Sequence, residues 1–134
     1  MRSIWAMSIL LWFCMSAGAQ ESVPDFTGVW SGTFRQIILA KNDGGDAEVK
    51  EIQVTYELTK QDGRLLWGSV WSDPAKKRPV VLAFSLNNGT LVGSDSAGLH
   101  RITFISANRM ETCFTDNGAA AVITATCGVI ERAR

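Results

Sequence analysis

The residue types that usually carry nucleophilic or metal chemistry are scarce in this chain of 134 residues: one histidine, His100, and three cysteines, Cys14, Cys113 and Cys127. A serine or cysteine nucleophile needs a base held against it. His100 stands between Leu99 and Arg101, with Ile102 and Phe104 on its own face of an alternating segment. That position predicts a histidine at the rim of a core or hydrogen-bonded inside it; catalysis by His100 or Arg101 is the alternative. A structural zinc site takes about four ligands, mostly Cys and His, so no metal site is expected. Carboxylate pairs are the other route to acid–base catalysis. Glu51 and Glu57 alternate to the polar side of their segment, while Asp43, Asp46, Asp62, Asp73, Asp95 and Asp116 stand in turns, where an Asp side chain bonds its own backbone. No glycine-rich phosphate loop occurs, since Gly28 and Gly32 fall inside one strand pattern. The expectation is a binding protein rather than an enzyme, with no cofactor.

A basic start, Met1-Arg2, leads into the apolar run Ile4 to Phe13 and closes on Ala17-Gly18-Ala19, the small-x-small pattern of a signal-peptidase site. The run is shorter than the about 20 apolar residues of a membrane span. Residues 1–19 are expected to be a signal peptide and 20–134 a single domain, secreted or periplasmic. Phe13 before Cys14 argues against a lipid anchor there. Without Arg2 the mature chain carries 12 Lys and Arg against 13 Asp and Glu, a net charge of about −1. No footprint for nucleic acid or an anionic membrane is visible. Cys113 and Cys127 then remain as an even pair in an exported chain, which predicts a disulfide; two reduced, buried thiols are the alternative.

The segments that must position these residues alternate with period two and carry no sustained helical repeat. The first places Phe26, Trp30, Phe34 and Ile38 on one face, and the second Ile52, Val54, Tyr56 and Leu58. The third, Leu65 to Trp71, presents Leu65, Trp67 and Trp71 on its apolar face. Val80 to Leu86, Thr90 to Ser94, Leu99 to Ile105, Arg109 to Phe114 and Ala121 to Glu131 follow, making eight strands. Hairpin-length links leave no room for the crossovers that parallel pairing requires, and an up-and-down sheet of this size hides its edges by closing. The fold class expected is all-β, an eight-stranded antiparallel up-and-down β-barrel, with a β-sandwich as the alternative. A two-residue turn at Asn117-Gly118 would set Cys113 opposite Val122, roughly 17 Å along the strand from Cys127. A disulfide spans only about 4.4–6.8 Å between Cα atoms. The disulfide is preferred, which centres that loop near Ala120.

Gly28-Val29-Trp30 on the first strand resembles the G-x-W element of the calycin barrels, the lipocalins and avidins. The resemblance implies a small barrel whose tryptophan closes one end under a basic residue from the final strand, for which Arg132 is the candidate. The chain is short for a lipocalin and lacks the long helix that follows the barrel there, so avidin-like dimensions fit better, although the biotin-binding polar set is not matched. Gln61 to Gly68 and Arg109 to Phe114 are similar to small exported bacterial proteins whose activity is not settled.

Two binding modes follow. Trp30, Phe34, Tyr56, Trp67, Trp71 and Phe84, with His100, are expected to line a site for a small apolar or aromatic ligand; aromatic residues that merely fill the core are the alternative. Gly28, Gly32 and Gly68, beside the tryptophans, favour some open volume. The second mode is a protein-binding inhibitor or immunity factor that docks an acidic partner through Lys76, Lys77 and Arg78 in the loop bounded by Pro74 and Pro79. Asn88-Gly89-Thr90 matches a glycosylation sequon.

Overall fold

The computed structural model describes residues 22–41, 45–87 and 89–134, so the expected signal peptide and the sequon's Asn88 lie outside the described residues. Alternation along the chain is expressed as strands β1 (Gly28–Ala40), β2 (Glu48–Asp62), β3 (Leu65–Trp71), β4 (Arg78–Ser85), β5 (Thr90–Asp95), β6 (Gly98–Ser106), β7 (Arg109–Asp116) and β8 (Val122–Arg132). Each pairs antiparallel with its chain neighbour, and β8 returns to β1, giving a closed eight-stranded barrel. The seam runs from Trp30↔Arg132 to Ala40↔Val122, which rules out the β-sandwich. Among the described residues the one helical element is a 3-10 turn at Pro74–Lys76, started by the Asp73 side chain accepting from Ala75 N.

The first strand begins later than its aromatic spacing suggests. Asp25 Oδ1 accepts from Thr27 N at 2.8 Å, an Asx turn that takes Phe26 out of the ladder. Phe26 is buried, its ring centroid 5.2 Å from that of Phe84 and 5.9 Å from that of Phe104. Trp30, fully buried, donates from Nε1 to Phe26 O at 2.9 Å. Arg132 lies over the Trp30 ring with its guanidinium carbon 4.5 Å from the centroid, and Nη2 bonds Asp25 O. This end of the barrel is plugged, with the tryptophan and its covering arginine placed as the G-x-W resemblance implies.

The phase of β3 is the reverse of the expectation. Leu66 and Val70 are buried, whereas Leu65 and Trp67 are exposed. Trp67 therefore lies on the outside, with Lys60 Nζ 6.0 Å from its ring centroid, and cannot line an interior site. Trp71 shares that outward phase, half-buried at the strand end with Lys77 Nζ 3.9 Å over its ring. Both faces of Leu65 to Trp71 are apolar, so period two fixes the strand but not which face is inside. The register between β2 and β3 shifts between Leu58 and Lys60, a bulge next to this strand.

The glycines expected to open volume do the opposite. A Cβ on Gly68 would stand 1.9 Å from Glu57 O, and one on Gly32 would stand 2.0 Å from Val129 O. These positions are occupied by neighbouring backbone, as at the tight bends of a small barrel. Gly28, at φ +125°, meets nothing within 4 Å and serves conformation instead.

Cys113 and Cys127 are directly opposed on β7 and β8, joined as a disulfide with Cα atoms 4.1 Å apart. The β7–β8 loop comprises residues 117–121, and Asn117-Gly118 does not form a two-residue turn. Asp116 shapes the loop instead, accepting from Gly118 N, Thr124 N and Thr124 Oγ1.

Candidate functional site

The far end of the barrel, where β1, β3, β5 and β7 finish, is not plugged. Inside it lies a cup of about 60 Å³. Its walls are Phe34, Ile52, Val54, Val70 and Phe114; Tyr56, His100 and Thr126 reach it as polar groups, and Gln36, Trp71, Ser72 and Arg78 border it. A vestibule of about 450 Å³ sits above, between the loops, and shares Gln36, Ser72, Arg78 and Phe114 with the cup.

The polar groups are brought together by register. Alternation of Val54, Tyr56 and Leu58 on β2 turns Tyr56 inward, and alternation of His100 and Ile102 on β6 does the same for His100. The Tyr56 hydroxyl lies 2.8 Å from His100 Nδ1 and 3.0 Å from Thr112 Oγ1. The phenyl ring of Phe114, register partner of His100, packs 5.0 Å from the imidazole centroid. Asp95 ends β5 with its carboxylate wholly enclosed. Its Oδ1 accepts from Ala97 N at 2.6 Å and Gly98 N at 2.9 Å. Its Oδ2 accepts from Arg78 Nε at 2.9 Å and lies 3.3 Å from His100 Nε2. That last approach is an ion-pair distance without hydrogen-bond geometry, so His100 Nε2 is buried with no hydrogen-bond partner.

Charge states follow from these surroundings. Burial alone would raise the Asp95 carboxyl, but the Ala97 N–H, the Arg78 bond and the His100 and Arg78 charges outweigh it and hold the group below the usual carboxylate range. Burial lowers His100, with Asp95 opposing only in part, so the imidazole is neutral at pH 7. Burial pushes the Tyr56 phenol up to about 12, against the Thr112 bond. With Asp95 ionised, the tautomer that carries its proton on Nε2, facing the carboxylate, is favoured. Nδ1 then accepts from the Tyr56 hydroxyl, whose oxygen accepts in turn from Thr112. The chain thus points toward Asp95, its last step from His100 Nε2 being an electrostatic contact at 3.3 Å rather than a hydrogen bond.

The aromatic set singled out from the sequence is thus divided. Phe34, Tyr56 and His100 meet at the cup, with the outward-phased Trp71 at its border; Trp30 and Phe84 belong to the plugged end; Trp67 is outside. The cations 76–78 do not form one patch either. Lys76 pairs with Asp73 at 3.9 Å, Lys77 with Glu57 at 3.3 Å, and Arg78 turns to Asp95 as the first residue of β4. Asp95 and Thr112 were not among the expected site residues, and Arg78 was expected in a protein-docking loop rather than at the cup. The turn at Asp95-Ser96-Ala97-Gly98 accounts for one carboxylate oxygen, and no spacing signal points to the partner of the other.

No protein-family model matches the chain, and no curated protein matches it. Among solved structures, the chain is similar to an S-type phycobiliprotein lyase from Guillardia theta, 12% identical, with 81% of this chain and 89% of that chain covered at a TM-score of 0.29.

Proposed function

We propose that the protein is an exported barrel of calycin type that binds one small ligand at its open end. A cup of about 60 Å³ is far below the roughly 300–1,000 Å³ of an ordinary ligand pocket. Only a small group enters it, while the body of the ligand lies in the vestibule against Phe114 and Ser72. The expected apolar or aromatic ligand is therefore refined to one with an apolar or aromatic body and a polar tip. The observation that carries this proposal is the asymmetry of the barrel: one end is plugged by Phe26 and Trp30, and the other holds an apolar-walled cup reached by the buried polar chain Tyr56, His100, Asp95 and Arg78. Burying such polar groups costs stability unless they are fully bonded, which a barrel filled only for packing has no need of. The disulfide supports a secreted or periplasmic location for residues 20–134, and among the described residues no helix is long and apolar enough to cross a membrane.

Trp71 borders the cup, so intrinsic fluorescence titrated against a library of small aromatic and heterocyclic compounds tests the proposal. At least one compound is expected to change the emission of the wild type and not that of Trp71→Phe. If no compound does so, and the protein instead captures one protein partner from its own compartment, small-ligand binding is wrong.

A further inference from the structure

We infer that the cup binds its ligand as a small organic acid in its anionic form, and that binding loads one proton onto His100. The inference rests on the proposed small-ligand site and concerns the chemistry of what fills it.

The groups that face the site decide the sign of charge it accepts. The two acids closest to the chemistry, Asp95 behind the cup and Asp116 in the vestibule wall, are already saturated. Asp95 is wholly enclosed and takes donors from Ala97, Gly98 and Arg78, and Asp116, in the vestibule wall, takes three from Gly118 and Thr124. The Tyr56 O–H is directed to His100, and the Thr126 hydroxyl is given to Arg35 O at 2.9 Å. What remains toward the ligand is the donor-only guanidinium of Arg78, beside groups that can donate or accept. Arg78 lines both cup and vestibule and uses its Nε on Asp95, leaving the N–H groups of its two terminal nitrogens. The Gln36 amide and Ser72 hydroxyl stand beside it in both walls. Such a mouth selects an acceptor, and a carboxylate offers two oxygens to a guanidinium.

An anion entering an apolar-walled cup must also be neutralised. Arg78 is already balanced by Asp95, so the entering charge has no counter-ion of its own. The titratable groups facing the cup are Tyr56 from β2, Arg78 from β4 with Asp95 behind it from β5, and His100 from β6. Tyr56 cannot become a cation and Arg78 is one already. Of these, His100 alone can acquire positive charge near neutral pH; burial opposes that charge, but its Nε2 lies 3.3 Å from the Asp95 carboxylate, which favours it, and an anion in the cup adds to the same side. On protonation Nδ1 becomes a donor to the Tyr56 oxygen, so the Tyr56 O–H is freed to donate elsewhere, including to an acceptor in the cup. Proton uptake and anion binding then reinforce one another, as linkage requires.

Because the chain has a single histidine, its imidazole resonances can be followed by NMR in the wild type without assignment ambiguity. The probes are benzoate and its neutral isostere benzamide. Saturating benzoate is expected to raise the His100 midpoint by about one pH unit or more, and the benzoate Kd to tighten by up to about tenfold per unit of falling pH between the free and bound midpoints. Benzamide is expected to bind more weakly than benzoate in acid and with no pH slope, and His100→Gln to abolish the slope for benzoate. Benzoate binding that is flat in pH, an unmoved His100 midpoint at saturation, or benzamide matching benzoate in acid would overturn the inference. If neither probe binds while other neutral compounds alter Trp71 emission, the acid-binding inference falls and the ligand site stands. If nothing binds at all, both fall.

Discussion

Replacing Asp95 by Asn removes the charge on which the buried donors converge while keeping the shape of the side chain. The Asn carbonyl still accepts from Ala97 N and Gly98 N, so the β5–β6 turn is preserved. The loss falls on the other position, where an amide NH₂ would face Arg78 Nε at 2.9 Å and His100 Nε2 at 3.3 Å. A hydrogen bond to a charged group contributes about 1.5–3 kcal/mol, and breaking a fully buried ion pair costs about 3–5 kcal/mol. The Arg78 side chain is 32% exposed and can turn toward solvent, so the lower range applies and a destabilisation of about 2 kcal/mol is expected at pH 7. Urea unfolding across pH measures it and checks the sign. The folded carboxyl lies below its usual 3.8, so its stabilisation is present above that value and is lost as pH falls through the folded value. The gap between wild type and Asp95→Asn should therefore close in strong acid. His100 lies below its usual 6.5 in the folded state, so both proteins lose stability as pH drops under about 6.5. Removing the Asp95 charge depresses His100 further and carries that loss to lower pH in the variant. A variant within about 0.5 kcal/mol of wild type at pH 7, with a gap that does not change in acid, would refute the assignment of Asp95 as the acceptor of this chain.

Two further outcomes test the frame that holds the site. Cys113 and Cys127 are 14 residues apart, and a loop of about that length is worth roughly 3 kcal/mol when closed covalently. Cys113→Ser with Cys127→Ser should lower Tm by roughly 10–20 °C in a domain of this size; calorimetry showing a shift under about 3 °C would contradict the estimate. Gly68→Ala places a methyl 1.9 Å from Glu57 O and 2.8 Å from Leu58 Cα, both backbone atoms. It should cost about 3 kcal/mol or more in denaturant unfolding, and a near-neutral result would mean that β2 and β3 can separate locally.

Strand number and order were legible because most segments keep one apolar and one polar face, and because links of a few residues restrict each strand to its neighbour. The Cys113–Cys127 pair went further, since a bond of fixed span between two strands sets their register. Where both faces are apolar that logic stops: Leu65, Leu66, Trp67, Val70 and Trp71 satisfy either phase, and only the packing of Leu66 and Val70 decides it. Glycines were ambiguous for a different reason. A missing side chain leaves space in one setting and admits a carbonyl oxygen in another, and at Gly32 and Gly68 the carbonyl is there. The polar chain was the least legible feature. Arg78, Asp95 and His100 come from three strands, and their meeting depends on the pairings Val80↔Asp95 and Gly93↔His100, which no local pattern encodes.

The seam gives this molecule an unusual dependence on its tail. Trp30 finds Tyr56 on one side soon after synthesis begins, yet its other neighbour, Arg132, belongs to the final strand. A chain delivered N-terminus first must keep the free margin of β1 unpaired until β8 emerges, and a contact so distant in sequence forms slowly. Loss of β8 would leave not a smaller container but a bare-edged sheet prone to stick to its own kind.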